Sequence, residues 1–181
     1  MTRVGHFEKV SYEQFEKDFK SLKEFNSEMF SDEKIRELYD AIKLPTRATA
    51  GSAGYDFYSP VGFEVGAGQT VKIPTGIRVI IDHGWFLACF PRSSLGFKYR
   101  FQLDNSVGII DTDYSHAGNE GHIFAKMTND SKDGKKLTLE AGDRYMQGIF
   151  LPFGLTYEDE VTELEPPPAY RLSGYRFRIR I

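Results

Sequence analysis

Apolar side chains recur at helical spacing in the first part of the chain. Residues 7–43 contain neither Gly nor Pro, and Glu and Lys are frequent among them. Ser11 and Gln14 have the spacing of a capping box, and Ser31 precedes two acidic residues that suit a helix N-terminus. The pattern predicts a helical extension over 1–43 that ends before Pro45 and packs on the domain or on a neighbouring subunit. Its two apolar stripes are Phe15, Phe19 and Leu22, and then Ile35, Leu38, Tyr39 and Ile42.

From Leu44 the pattern changes to short β-branched and aromatic runs, interrupted about every 8 to 12 residues by Gly, Pro, Asn and Asp. This pattern predicts an all-β sandwich or jelly roll over 44–165. The segments 129–134 and 141–143 are typical of hairpin turns. Three consecutive prolines at 166–168 predict a stiff linker that opens an exposed C-terminal arm over 166–181. The candidate strands are 69–73, 76–81, 85–90, 99–103, 121–128, 136–139 and 145–152.

Composition and charge narrow the class of protein. A chain of 181 residues with 40% hydrophobic content is long enough for one domain that buries roughly 70% of its unfolded surface. A net charge of -3 does not favour a nucleic-acid or membrane-surface partner, so we expect neither. The sequence has no apolar run of membrane-spanning length and no signal-peptide core, which predicts a cytoplasmic protein. Cys89 is the only cysteine and is interpreted as a small core residue.

Four segments place small, rigid or polar residues between apolar strands: 53–56, 91–96, 105–114 and 142–147. In the second, an Arg and two hydroxyls suit phosphate oxygens, although a structural turn with a surface Arg is the better explanation of this segment taken alone. In the third, Asp111 follows an apolar run, so its carboxylate could hold and deprotonate a water, or it or Asp113 could cap a turn. In the fourth, Asp143 and Arg144 could pair, and Gln147 could direct its amide at a ligand.

The order of these four segments, from about Leu44 to Pro152, resembles the trimeric dUTPase family. They read AGYD, PRSSLG, GIIDTDY and GDRYMQ, close to that family's first four motifs. The resemblance implies a distorted jelly roll that assembles as a homotrimer, with each site built from more than one subunit. It also implies Mg²⁺-dependent hydrolysis of dUTP to dUMP and pyrophosphate, which limits uracil in DNA and supplies dUMP for dTMP synthesis.

The resemblance also implies roles for individual residues. Asp111 matches the carboxylate that activates water for attack on the α-phosphorus, and Tyr114 matches the ring that packs on deoxyribose and leaves no space for a 2′-hydroxyl. Asp56 matches a residue that supports the Mg²⁺ site through water. The uracil edge would be bound by Asn105, by backbone groups of Ile109 and Ile110, and by a residue near Phe124. The phosphates would be held by Arg92, Ser93, Ser94 and Gln147.

Two features depart from the family pattern. The Gly-rich fifth motif is missing, and the chain ends instead in a segment where Tyr175 could stack on uracil and Arg171 or Arg176 could reach the γ-phosphate. The segment 115–121 after Tyr114 is longer than the usual tight turn. His116 and His122 are interpreted as loop and strand residues.

Two alternatives remain open at this point. A nucleotide-binding sensor with reduced activity would fit the altered C-terminus. The related dCTP deaminase shares the second motif, and Ser94 favours it, but its chemistry needs a carboxyl group where this chain has Lys126.

Overall fold

A computed structural model describes residues 2–25 and 30–159. The N-terminal part consists of strand β1 (Gly5–Lys9), helix α1 (Tyr12–Ser21), a 3₁₀ turn (Lys23–Phe25) and helix α2 (Asp32–Asp40). One more helix, α3 (Ser93–Tyr99), and a 3₁₀ helix (Thr112–His116) interrupt the strands that follow. Those strands are β2 (Thr46–Arg47), β3 (Tyr55–Tyr58), β4 (Phe63–Val65), β5 (Thr70–Pro74), β6 (Ile77–Ile81), β7 (Trp85–Pro91), β8 (Phe101–Leu103), β9 (Gly108–Ile110), β10 (Phe124–Asn129), β11 (Leu137–Leu139) and β12 (Arg144–Pro152).

The strands form four antiparallel sheets. The largest has the order β2-β3-β12-β7-β9, and the others are β5-β10-β8, β1-β6 and β11-β4. Strand β12 lies at the centre of the largest sheet, with β3 and β7 on either side. The predicted all-β jelly-roll class is confirmed. Among the described residues, none of the helices has the length and apolar character needed to cross a membrane.

The N-terminal helices pack on the sheets. Phe15, Phe19 and Ile35 are completely buried, and they belong to the same hydrophobic cluster as Ile73 and Phe101 of strands β5 and β8. Ser11 caps α1 by accepting a hydrogen bond from the backbone N–H of Gln14 at 3.1 Å, as predicted. The predicted reverse half of the capping box is wrong, because the backbone N–H of Ser11 donates to the Glu120 carboxylate at 2.8 Å instead of to the Gln14 side chain.

The start of the chain differs from the predicted helical segment. Residues 7–9 belong to β1, which pairs with β6 from Gly5 opposite Ile81 to Lys9 opposite Ile77. The reason is tertiary: the ring of Phe7 packs among aromatic rings of the largest sheet, with centroids 5.4–5.7 Å away. Burial of that ring in the sheet outweighs the weak helical periodicity of the first residues.

Further predictions about local structure are wrong. The segments 129–134 and 141–143 are not hairpin turns, because β11 pairs with β4 and therefore lies in a different sheet from β10 and from β12. The second motif, interpreted as a loop, begins helix α3 at Ser93. This helix extends to Tyr99, so the predicted strand 99–103 begins too early. The first motif likewise enters a strand, β3, at Tyr55.

Strand β12 carries a bulge near its start. The register with β3 shifts between Arg144 and Met146, so that Arg144 lies opposite Tyr58 while Gln147 lies opposite Asp56. Side chains of a regular strand alternate between its two faces, whereas the neighbours Tyr145 and Met146 are both buried, as expected where one strand has an extra residue.

Candidate active site

One pocket of about 360 Å³ collects residues from three of the predicted segments. We call it the Arg92 pocket. Asp56 reaches it from β3, Arg92 and Ser93 from the junction of β7 with α3, and Gln147 from β12. The remaining lining residues are Ala48, Ser52, Ala53, Gly54 and Ile149. The structure therefore brings together three of the four residues predicted to hold phosphates, together with the one predicted to support a metal site.

Asp56 holds two arginines in place. Its Oδ1 lies 3.2 Å from Nε of Arg92, and its Oδ2 accepts a hydrogen bond of 3.1 Å from Nη1 of Arg144. The Asp56 side chain is only 12% exposed, so these pairs are partly shielded from water. The predicted pair between Asp143 and Arg144 is wrong, because the Asp143 carboxylate closes its own turn by accepting from the backbone N–H of Glu140 at 2.9 Å.

The Gln147 amide is packed against the first motif. A Cβ atom added to Gly54 would lie 2.5 Å from Oε1 of Gln147, which means that only glycine leaves room for the amide as it stands. The Nε2 atom of Gln147 donates to the carbonyl of Pro91 at 3.4 Å, a long hydrogen bond. The first, second and fourth motifs thus meet around one side chain.

A second pocket, of about 230 Å³, lies next to the third motif. We call it the Asn105 pocket. It contains Asn105, Ile110 and Phe124 of the predicted base-binding set, and its floor is apolar. It is smaller than the roughly 300–1,000 Å³ typical of sites for drug-sized ligands, so it suits a single ring. The other lining residues are Cys89, Leu103, Asp104, Gly108, Ile123, Lys126 and Met146.

Two lining residues of the Asn105 pocket, Cys89 and Lys126, are the predicted core cysteine and the residue that distinguishes this chain from a deaminase. Cys89 is buried, as predicted for a core residue, and burial raises the pKa of its thiol to about 12. Lys126 stands exposed on β10 and pairs with Asp104 at 3.1 Å. The position where deamination chemistry would need a carboxyl group therefore carries an ammonium group.

The remaining predicted residues lie outside both pockets. Ile109 is 52% exposed on β9, and Ser94 is exposed on α3. Asp111 is exposed directly after β9 and precedes the 3₁₀ helix Thr112–His116, but its side chain makes no capping hydrogen bond there. The alternative in which the Asp111 side chain caps this turn is therefore wrong. The candidates from the C-terminal arm, Tyr175, Arg171 and Arg176, are outside the described residues.

The hydroxyl of Tyr114 is fixed on both sides. It donates to the backbone carbonyl of His122 at 3.0 Å and accepts from Nδ2 of Asn119 at 3.1 Å. Gly121 closes the same turn, and its φ of +73° belongs to the left-handed region that favours glycine. A Cβ at Gly121 would lie only 2.8 Å from the carbonyl oxygen of Tyr114. The ring of Tyr114 is thus held by the longer loop that follows the third motif.

The two pockets share no lining residue. Within one chain, the residues predicted to hold phosphates meet in the Arg92 pocket and those predicted to bind the base meet in the Asn105 pocket, but the two groups form separate pockets. A site built from more than one subunit, as the resemblance implies, would account for this separation.

The sequence did not predict several contacts that hold the site residues in position. They include Arg144 as a partner of Asp56, and the buried His122 with its neighbour Asp18. The prediction that His122 lies in a strand is wrong, because this residue comes just before β10. Residues 18 and 122 have no local pattern in common, so no sequence signal connects them.

Comparison with known proteins agrees with the four motifs. The dUTPase family model matches residues 40–169. A deoxyuridine 5′-triphosphate nucleotidohydrolase of Lactococcus lactis is 38% identical over 68% of this chain and 82% of its own length. One from Haemophilus ducreyi is 42% identical over 67% of this chain and 78% of its own.

Solved structures agree as well. The crystal structure of dUTPase from Streptococcus mutans matches with a TM-score of 0.60 and 38% identity, over 83% of this chain and 98% of that one. A dUTPase from phage phi11 of S. aureus, at 19% identity and a TM-score of 0.54, shares the fold. The resemblance predicted from the sequence is confirmed, and the chain belongs to the dUTPase family.

Proposed function

We propose that this protein hydrolyses dUTP to dUMP and pyrophosphate. The observation that carries the proposal is the gathering of the family's motif residues into two chemically distinct pockets, one with an arginine fixed by Asp56 and one of the size of a single ring. The product dUMP would feed dTMP synthesis, and removal of dUTP would keep uracil out of DNA. Because this substrate belongs to the pool of DNA precursors inside the cell, we place the enzyme in the cytoplasm.

The Arg92 pocket is the proposed triphosphate site. Arg92, Ser93 and Gln147 would donate hydrogen bonds to phosphate oxygens, and Ser94 would add its hydroxyl from the next position of α3. Phosphoryl transfer depends mainly on positioning and on neutralising negative charge, which is what a guanidinium group fixed by Asp56 supplies. Fixing the arginine before substrate binds avoids the cost of ordering it during the reaction.

The residues of this pocket fit the predicted Mg²⁺ ion only as a second layer. Both oxygens of Asp56 already face arginines, so Asp56 would contact the ion through water, while phosphate oxygens serve as the main ligands. When bound, the ion would neutralise charge on the triphosphate. It would leave Arg92 and Gln147 to orient the chain of phosphates.

The Asn105 pocket is the proposed uracil site. The Asn105 amide and backbone groups of Ile109 and Ile110 would bind the edge of the base, and Phe124 would lie beside it. The ring of Tyr114 would pack on the deoxyribose. Because its hydroxyl is already bonded to His122 and Asn119, this ring cannot withdraw easily to admit a 2′-hydroxyl.

Asp111 is the proposed general base. Its carboxylate would accept a proton from a water molecule while the water oxygen attacks the α-phosphorus. The bond from that phosphorus to the bridging oxygen breaks, and pyrophosphate leaves with the bonding electron pair. The proton then passes from Asp111 to solvent.

The decisive assay is pyrophosphate release from dUTP, dCTP, dTTP and UTP in the presence of Mg²⁺. We expect release from dUTP alone, and we expect Asp111→Asn to abolish turnover while dUTP still raises the melting temperature. A wild type that binds dUTP without releasing pyrophosphate would refute the proposal and favour the nucleotide sensor. Release of ammonia from dCTP would favour the deaminase.

We further propose a homotrimer in which the Asn105 pocket of one protomer faces the Arg92 pocket of another. Mixing two variants of low activity, assayed with dUTP well below their raised KM, tests this arrangement. After unfolding and refolding together, Gln147→Ala and Asn105→Ala protomers should regain activity, since about a quarter of the sites in a random mixture would combine two intact pockets. Gln147→Ala mixed with Arg92→Ala is the matched control and should show no gain over the low activity of the single variants. Sites confined to one protomer would show no recovery in either mixture.

A further inference from the structure

Helix α1 is attached to the loop after Tyr114 at two places. At its N-terminus, Ser11 donates to the Glu120 carboxylate from both its backbone N–H and its hydroxyl, at 2.8 and 2.7 Å. Near its other end, Asp18 lies 2.6 Å from Nδ1 of His122. Ser11 and Asp18 are seven residues apart, which is two helical turns, so both attachments use one face of α1.

The contact of His122 with Asp18 has a defined direction. The imidazole is completely buried, and its Nε2 accepts a hydrogen bond of 2.8 Å from the backbone N–H of Gly76. A backbone N–H can only donate, so Nε2 carries no proton and Nδ1 donates to Asp18. Burial raises the pKa of Asp18, but the hydrogen bonds from His122 and Gln14 outweigh it and leave this pKa below its usual value. Asp18 is therefore a carboxylate that fixes one tautomer of His122.

His122 connects this helix to the proposed nucleoside site. Its backbone carbonyl accepts the hydrogen bond from the Tyr114 hydroxyl. Its ring lies 4.5 Å, centroid to centroid, from the ring of Phe124, which lines the Asn105 pocket. A displacement of His122 would therefore move both the partner of the sugar-packing ring and the neighbour of the base.

We propose that Asp18 is a positioning residue for nucleoside recognition, which acts through His122 on Tyr114 and Phe124. The inference rests on the proposed function of the Asn105 pocket and Tyr114. It assigns to α1, which precedes the residues matched by the family model, a part in selecting deoxyribose. The longer loop after Tyr114, which the four motifs leave unexplained, is the surface that α1 holds.

The test compares Asp18→Ala with Asp18→Asn and with the control Glu16→Gln. Glu16 is a half-buried carboxylate of the same helix, but it contacts Tyr12 and Lys20 rather than the loop. For Asp18→Ala we expect KM for dUTP to rise about tenfold, equivalent to about 1.4 kcal/mol, with kcat changed less than about twofold because Asp111 is untouched. The preference for dUTP over UTP in kcat/KM should fall by a similar factor. Asp18→Asn keeps an acceptor oxygen and should restore most of both, and Glu16→Gln should match wild type.

Binding of dUMP and UMP, measured by calorimetry, separates this inference from the proposed hydrolysis because it needs no turnover. A wild type that prefers dUMP but releases no pyrophosphate from dUTP would refute the hydrolysis only. A folded Asp18→Ala protein with unchanged dUMP preference and unchanged KM would overturn the inference, as would an equal loss of affinity for dUMP and UMP. If Asp18→Ala does not fold, Asp18→Leu replaces the carboxylate by an apolar side chain of similar size and should lower the dUMP preference in the same way; an unchanged preference in that variant would also overturn the inference.

Discussion

Replacement of Gly54 by alanine should impair catalysis without impairing the fold. The new Cβ would stand 2.5 Å from Oε1 of Gln147, so the amide must retreat by about half an ångström or more. A flexible side chain moves cheaply, and Gly54 has no positive φ, so the free energy of unfolding should change by less than about 1 kcal/mol in either direction. A hydrogen bond to a charged phosphate contributes about 1.5–3 kcal/mol. Loss of the one from Gln147 should therefore raise KM for dUTP roughly ten- to hundredfold.

Pyrophosphate release measures the expected rise in KM, and urea unfolding measures the free energy of unfolding. The control is Gly51→Ala in the turn just before this segment, where a Cβ would meet nothing within 4 Å. If Gly54→Ala acts through the amide, the double variant with Gln147→Ala should be no worse than Gln147→Ala alone. Wild-type KM in Gly54→Ala, or losses that add in the double variant, would refute the reasoning.

Three further predictions concern stability and reactivity. Phe19→Ala should lower the free energy of unfolding by ~3–5 kcal/mol, because the Phe19 ring is fully buried and its centroid lies 5.3 Å from that of Phe25. The melting temperature should fall by roughly 6–20 °C at fixed protein concentration. Lys17→Ala, at an exposed position of the same helix, is the control, and a loss below about 1 kcal/mol for Phe19→Ala would contradict a core shared by helix and sheets. Because the pKa of Asp18 is lowered in the folded protein, its contribution to stability is complete above its unfolded pKa of about 3.9 and is lost as pH falls through the folded value. The free energy of unfolding, measured in urea, should therefore fall less steeply with decreasing pH in Asp18→Asn than in wild type. An identical dependence on acid pH would count against the carboxylate. Cys89, with its pKa raised to about 12, should resist iodoacetamide at pH 8 in the native protein and react in urea, as mass spectrometry would show.

Features that depend on local pattern could be predicted from the sequence. The apolar stripe of α1 predicts its buried face, and Ser11 predicts its cap, because both follow from helical geometry alone. The central strands were predictable because their apolar runs are bounded by turn residues. Strand β1 was not, since its five residues are ordered by pairing with a strand about seventy positions away.

The candidate site divides in the same way. Residues proposed to touch the nucleotide, such as Arg92 and Asn105, stand in motifs whose order could be read directly. Residues that hold them form pairs across the chain: Arg144 with Asp56 is separated by 88 positions, and His122 with Asp18 by 104. Such pairs depend on the fold and leave no periodic trace, so only the structure reveals them.

The bulge in β12 explains the length of the fourth motif. In a regular strand, positions 144 and 147 would point to opposite sides of the sheet. The extra residue between Arg144 and Met146 reverses this parity, so that Arg144 and Gln147 both stand on the face of Asp56. If the strand ran straight through this point with all of its residues kept, Gln147 would turn toward the core, and inner and outer side chains would be exchanged along the rest of β12. The three-residue spacing of this motif is therefore part of the enzyme's chemistry, as much as the identities of the residues at its ends.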